Sequence, residues 1–248
     1  MCLEKASILC RMNTLTQSLQ LALDMIVRGD PELLRIVALS LQVSGTACVF
    51  GALMGLTLGA ALAVSRFPGH SACVWLLNTF LALPSVVLGL IVYLMLSRAG
   101  PLGSWGILFT PTAMVMAQSL LVVPLIAALS RRLVLNALRD GGEQLASMGA
   151  GAAMRALLLI LHERWGVLTV LLVALGRAIS EVGAVMMVGG NIQGITRVMT
   201  TAIALETSKG DLPLALALGI VLLAVVGALN LLTLALQGGR EISQEALA

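Results

Sequence analysis

Two ionisable side chains sit where a lipid-soluble helix should carry none. Arg177 and Glu181 fall four residues apart inside an apolar run, on one face of a helix. Charge at the centre of a bilayer is expensive, so such residues turn toward protein or water and pair with one another. The pair reads in two ways: a neutralising lock between helices, or an element of a pathway or gate. If Glu181 bound protons, an ion-coupled secondary transporter would also be conceivable. The remaining chemistry-bearing residues point to no catalysis. His162-Glu163 begins like a zinc-protease helix, but no second histidine follows at the required spacing and His70 is remote, so no metal site is expected. No Gly-x-Ser-x-Gly element places a serine nucleophile. Cys2, Cys10, Cys48 and Cys73 form no Cys-x-x-Cys pair and read as apolar filler. The two lysines follow Glu4 and Ser208, so the Gly-Lys of a phosphate-binding P-loop is absent. Any nucleotide energy must come from another subunit. The chain is expected to be no enzyme and to hold no cofactor.

The elements that position the pair are built for lipid. Of 248 residues 59% are hydrophobic and only 11% charged, a balance no soluble domain of this length reaches. Apolar runs of about 18 residues or more recur, each long enough to cross a hydrocarbon core of roughly 30 Å. Aromatics are 3%, too few for the girdles of a membrane β-barrel. The expected fold is therefore all-α and polytopic, lodged in the lipid bilayer, with no nucleic-acid partner. Five transmembrane helices are expected, over about 36–64, 74–97, 113–129, 166–188 and 212–236.

The connections carry the punctuation. Residues 14–27 are amphipathic but too short to cross, and Leu19 to Val27 is interrupted by Asp24 with no small-residue cleavage site. They read as an interfacial helix within an N-terminal segment, 1–30. Asp30-Pro31 marks a helix start, with Asp30 as N-cap and Pro31 in the first turn. Gly51, Gly55 and Gly59 form a stripe at four-residue spacing, which lets another helix approach closely. Pro84-Ser85 interrupts the second span; Ser85 either repairs the backbone or faces a pore. Gly189-Gly190-Asn191 closes the fourth as a glycine cap. Residues 238–248 read as a short tail.

Between the third and fourth spans lies a polar island, 130–163, edged by Arg131, Arg132, Arg139, Arg155 and Arg164. A basic, helix-forming segment between membrane spans is a docking surface for a soluble partner. Placing the island in the cytoplasm puts the N-terminus outside and the C-terminus inside. Arg66, the five island arginines and Arg240 then make seven inner basic residues, against five outer ones near the span ends. The first span alone, with Arg28 and Arg35 before it and Arg66 after, points the other way.

The island resembles the cytoplasmic "EAA" loop of ABC importer permeases, whose pattern is Glu-Ala-Ala, three residues, Gly, nine residues, Ile-x-Leu-Pro. Glu143, Gly149 and Leu161 match; Gln144 and Leu145 replace the alanines, Leu159 stands for Ile, and His162 replaces Pro. Further on, GRAISEVGAVMMVGGNIQGITRVMTTAIALETSKGDL, residues 176–212, is similar to the permeases of tungstate ABC importers. Molybdate permeases share a related Arg-x-x-x-Glu-x-Gly-Ala element, here Arg177, Glu181, Gly183 and Ala184. The Phe-Pro-Gly at 67–69 and the stretch from Pro84 to Gly89 also fit oxyanion permeases. The resemblance covers about residues 30–236.

That resemblance implies a type I permease fold and a homodimer. It implies two cytoplasmic ATPase subunits holding ATP and Mg, and an extracytoplasmic tungstate-binding protein, in the inner membrane. It implies a coupling helix that docks on the ATPase through Glu143, Ala146, Gly149, Ala150, Gly151, Leu159 and Leu161. Pathway or gate candidates are Ser85, Arg177, Ser180, Glu181, Gly183 and Asn191. Within the family, molybdate, sulfate or another small anion is the alternative cargo.

Overall fold

The computed structural model of the protein describes residues 18–147, 149 and 151–245, and among these every regular element is helical. The described part of α1 covers 18–28. Then come α2 (Pro31–Val64), α3 (His70–Leu81), α4 (Ser85–Leu96), α5 (Pro111–Ser147), α6 (Ala152–His162), α7 (Arg164–Ile179), α8 (Gly183–Gly189), α9 (Met199–Lys209) and α10 (Leu212–Glu245). A short 3-10 turn, Gly103–Trp105, lies before α5. Three helices are long and apolar enough to cross a membrane by themselves: Pro31–Val64, Pro111–Arg139 and Leu212–Leu236.

The pairing of α2 with α5 forms the spine. Asp30 caps α2 as its residue type demands, its carboxylate accepting from Glu32 N and Leu33 N at 2.9 and 3.1 Å. Along α2, Gly51 faces Val122 and Ile126, Gly55 faces Ile126 and the Val123 carbonyl, and Gly59 faces Ser130 and the Ala127 carbonyl. A Cβ on Gly55 would come within 2.8 Å of Ile126 Cβ, so only glycine permits this approach. Ser130 Oγ donates to Gly55 O at 3.3 Å and ties the two backbones.

The contacts rise together in both sequences, so α2 and α5 run parallel. Two parallel crossings require a return between them, and α3 with α4 provides it. α7 runs against α5, with Ala178 beside Gln118 and Val170 in the same core cluster as Ile126. Gly189 reaches Met114 near the start of α5. α10 begins beside the start of α2, where Leu214, Ala217 and Leu218 share a core with Leu33 and Ile36. With α2, α5 and α10, the bent pairs α3–α4 and α6–α7 allow up to five membrane crossings. One face carries the starts of α2, α5 and α10; the other carries the end of α2, the end of α5 and α6.

Several expected boundaries differ. The second span, 74–97, is two helices bent by 99°. Pro84 has no N–H to give and disfavours helical backbone before it, so α3 ends in a turn and Pro84 stands extended as the residue before α4. The fourth span, 166–188, stops at Ile179 and restarts at Gly183. The third does not end at 129: α5 continues through the island to Ser147, because Ala, Leu, Arg and Gln are good helix formers and long basic stems reach water from a helix. α10 likewise runs to Glu245, through the residues expected as a tail. The N-terminal segment is no separate layer over its described length. Ala22 is fully buried in the core made by α2, α9 and α10. Residues 1–17 lie outside the described residues.

Candidate functional site

The helix breaks before α4 and before α8 pack against one another. α4 and α8 run side by side, with Gly89 against Ala184 and Gly183 against Ser85 and Val86. A Cβ on Gly89 would lie 2.6 Å from Ala184 Cα, so glycine sets this contact too. The break before α8 has local causes. Ser180 Oγ folds back to donate to Gly176 O at 2.9 Å, a bond that competes with helix continuation. Glu181 Oε1 then accepts from Ala184 N at 3.3 Å, taking up a donor at the start of α8.

Arg177 and Glu181 form a direct ion pair, Nη1 to Oε2 at 2.7 Å. Their environments are unequal: the arginine side chain is 54% exposed, the glutamate 4%. Thr200 Oγ1 donates to the Glu181 carbonyl at 2.8 Å and fixes the break from α9. On the other side, Gln118 of α5 is buried and donates from Nε2 to Ala178 O at 2.9 Å. Its Oε1 is buried and has no partner among the described residues. Arg177, Glu181 and Gln118 line a cavity of about 80 Å³ with Phe80, Leu83 and Leu121, room for about two or three waters. Arg177 lies thirteen residues into α7 from Arg164, about 20 Å at helical rise. In an apolar span a half-exposed guanidinium turns to a water path or another polypeptide.

The pathway candidates divide. Ser85, Arg177, Ser180, Glu181 and Gly183 meet at the two breaks. Asn191 does not. It sits at the far end of α8 with φ 52°, its Nδ2 donating to Thr201 O at 3.1 Å and its Oδ1 3.1 Å from Thr201 Oγ1. It secures the turn between α8 and α9, away from the two breaks. Gln118 and Thr200 belong to the site; sequence reasoning left them out, although a glutamine inside an apolar span was a legible signal.

The docking candidates divide as well. Gly149 has φ 79° and makes the turn between α5 and α6, a conformation that favours glycine, and Gly151 precedes α6 as its N-cap. Leu161 is 60% exposed. Leu159 turns inward instead: it is 4% exposed, packed with Ala60, Val134 and Ala137. The one-in-three-or-four spacing of an amphipathic helix sends positions 159 and 161 to opposite faces. Ala150 lies outside the described residues, as do the side chains of Glu143 and Ala146.

No family model matches the chain. It is 41% identical over 227 residues to the tungstate uptake system permease protein TupB of Peptoclostridium acidaminophilum, covering 91% of this chain and 99% of that protein. The chain belongs to the permeases of ABC uptake systems. This permease is also 42% identical over 205 residues to a probable anion ABC transporter permease of Haloferax volcanii, covering 81% and 88%. More distant is the sulfate transport system permease protein CysW of Escherichia coli, 30% identical over 178 residues. The permease is thus a multi-pass membrane protein, and its polar breaks belong to a transport subunit.

Proposed function

We propose that this permease is the membrane-spanning subunit of an ABC importer that carries tungstate into the cell. The observation that supports the transport reading is the half-exposed Arg177 paired with interior Glu181, where the breaks before α4 and α8 meet among apolar helices. The cargo follows from the full-length similarity to a permease named for tungstate uptake. Two copies form the pathway, two cytoplasmic ATPase subunits bind and hydrolyse ATP with Mg, and an extracytoplasmic binding protein delivers the oxyanion. The face bearing the end of α5, Gly149 and α6 is cytoplasmic, and the start of α2 lies outside. ATP binding closes the ATPase dimer and pushes α6. Because α6 packs on α2 and α5 through Leu159, that push turns α5 against α7. The breaks at Pro84 and Ser180 let half-helices move while their other halves stay packed.

Uptake of radiolabelled tungstate in cells lacking the chain tests this directly. Accumulation should disappear, return with the wild-type gene, and resist excess sulfate and molybdate. Loss of sulfate or molybdate uptake, with tungstate uptake intact, would keep the importer and change its cargo.

A further inference from the structure

Away from the breaks, on the face that carries the start of α2, lies a second polar recess. Its volume is about 610 Å³, against roughly 30 Å³ for one water, so it has room for a small hydrated ion. Arg35, Gln42, Gln193 and Arg197 contribute its polar groups, with Glu32 at its edge. Two guanidinium groups and one carboxylate thus line the recess, and that carboxylate already accepts from Gln193 Nε2 at 2.8 Å.

Arg197 is unusual in this setting. It is only 8% exposed. Its Nη1 lies 3.5 Å from Glu206 and 3.6 Å from Glu32, ionic distances longer than a hydrogen bond. Glu206 is drawn instead to Lys209 at 3.0 Å. The Nε–H of Arg197 is buried and meets no acceptor among the described residues. That nitrogen is closed off from the recess, so a ligand there meets the outer edge of the Arg197 fork, whose only ionic partners stand at those longer distances. Arg35 is held nearby by the backbone: Nη2 donates to Gly194 O at 2.6 Å. The guanidinium lies against Gly194, where a Cβ would come within 3.2 to 3.3 Å of it.

From these observations we infer that the recess is a binding site for a tetrahedral oxyanion, held between the forks of Arg35 and Arg197. The inference rests on the anion-importer reading, and gives that importer a way-station on the side opposite α6. Two guanidiniums partly offset by Glu32 and Glu206 make a weak site, one from which an ion can leave, as a transport step needs. The same chemistry would also take the phosphate of an anionic lipid headgroup.

The test uses the permease–ATPase complex in nanodiscs of phosphatidylcholine, with equilibrium binding of radiolabelled tungstate. Arg197→Lys keeps the charge and the approach to Glu206 but removes the planar fork; Arg35→Gln removes charge at an exposed position and keeps a donor for Gly194 O. Saturable wild-type binding that weakens tenfold or more in each variant, with recovery in Arg35→Lys, is the expected result. If instead only nanodiscs containing phosphatidylglycerol give an Arg35- and Arg197-dependent ligand, seen as lipid retained in native mass spectra, the site holds and its occupant is a lipid headgroup. Variants that bind both probes like wild type, or a wild type that binds neither, overturn the site. Sulfate and molybdate run in parallel separate it from the cargo assignment. Arginine-dependent binding of sulfate alone keeps the recess and removes tungstate. Wild-type tungstate uptake and KM in both variants removes the recess and leaves the importer.

Discussion

Arg177 and Glu181 each have a different consequence when removed. Taking away Arg177 leaves the Glu181 carboxylate interior without its cation. Breaking a fully buried pair costs about 3–5 kcal/mol, but the half-exposed arginine moves this case toward the surface range, to about 1–2 kcal/mol. Arg177→Ala should therefore lower the Tm of the purified complex and reduce tungstate uptake. Adding Glu181→Ala removes the orphaned charge and should return most of the Tm. Uptake tells the two roles apart: it stays low in the double variant if the pair acts in the pathway. A double variant that regains both Tm and uptake would reduce the pair to a lock between helices.

The helices make sharper demands on packing. The α2–α5 spine leaves no space for a side chain on Gly55, where a Cβ would lie 2.8 Å from Ile126 Cβ and 2.9 Å from Val123 O. Gly55→Val should cost at least the overpacking range, about 1–3 kcal/mol, read as a fall in Tm or in the yield of folded protein. On α6, neighbouring leucines should behave oppositely. Leu159→Ala opens a cavity among Ala60, Val134 and Ala137 and should cost about 2–5 kcal/mol. Leu161→Glu changes an exposed position and should leave Tm unchanged while lowering substrate-stimulated ATPase activity. Normal stimulation in Leu161→Glu would remove α6 from the docking surface. The apolar period placed a helix here, but the short island carries leucines at 157, 158, 159 and 161, so nothing in the pattern alone said which of them faced inward. The bundle decided it.

At the scale of the molecule, the parallel run of α2 and α5 sets the starts of both helices on one face and α6 on the other. The basic-residue tally leans toward a cytoplasmic α6, while the first span opposes it. In a chain whose native cysteines are replaced by serine, an impermeant thiol reagent should label Ser104→Cys and Thr207→Cys in intact cells. Leu161→Cys should react only after permeabilisation. Labelling of Leu161→Cys from outside would invert the whole assignment and leave α6 no cytoplasmic partner.

The sequence by itself determined that the chain lives in lipid, that α2 begins at Asp30-Pro31, that glycines at four-residue spacing seek a partner helix, and that Arg177 pairs with Glu181. All of these are local: composition, caps and contacts four residues apart act over a few turns. Tertiary structure decided that Glu181 lies past the end of α7, which helix the glycine stripe meets, that Pro84 and Ser180 mark two breaks set side by side, and that Gln118 and Thr200 bond to the second break while Asn191 lies at the far end of α8. It also brought Arg35 to Arg197 across more than 160 positions of sequence. The physical reason is common to them all. In a membrane every span is apolar on most of its surface, so hydrophobic periodicity no longer says which side faces the core; steric fit at glycine and the pairing of the few buried polar groups do.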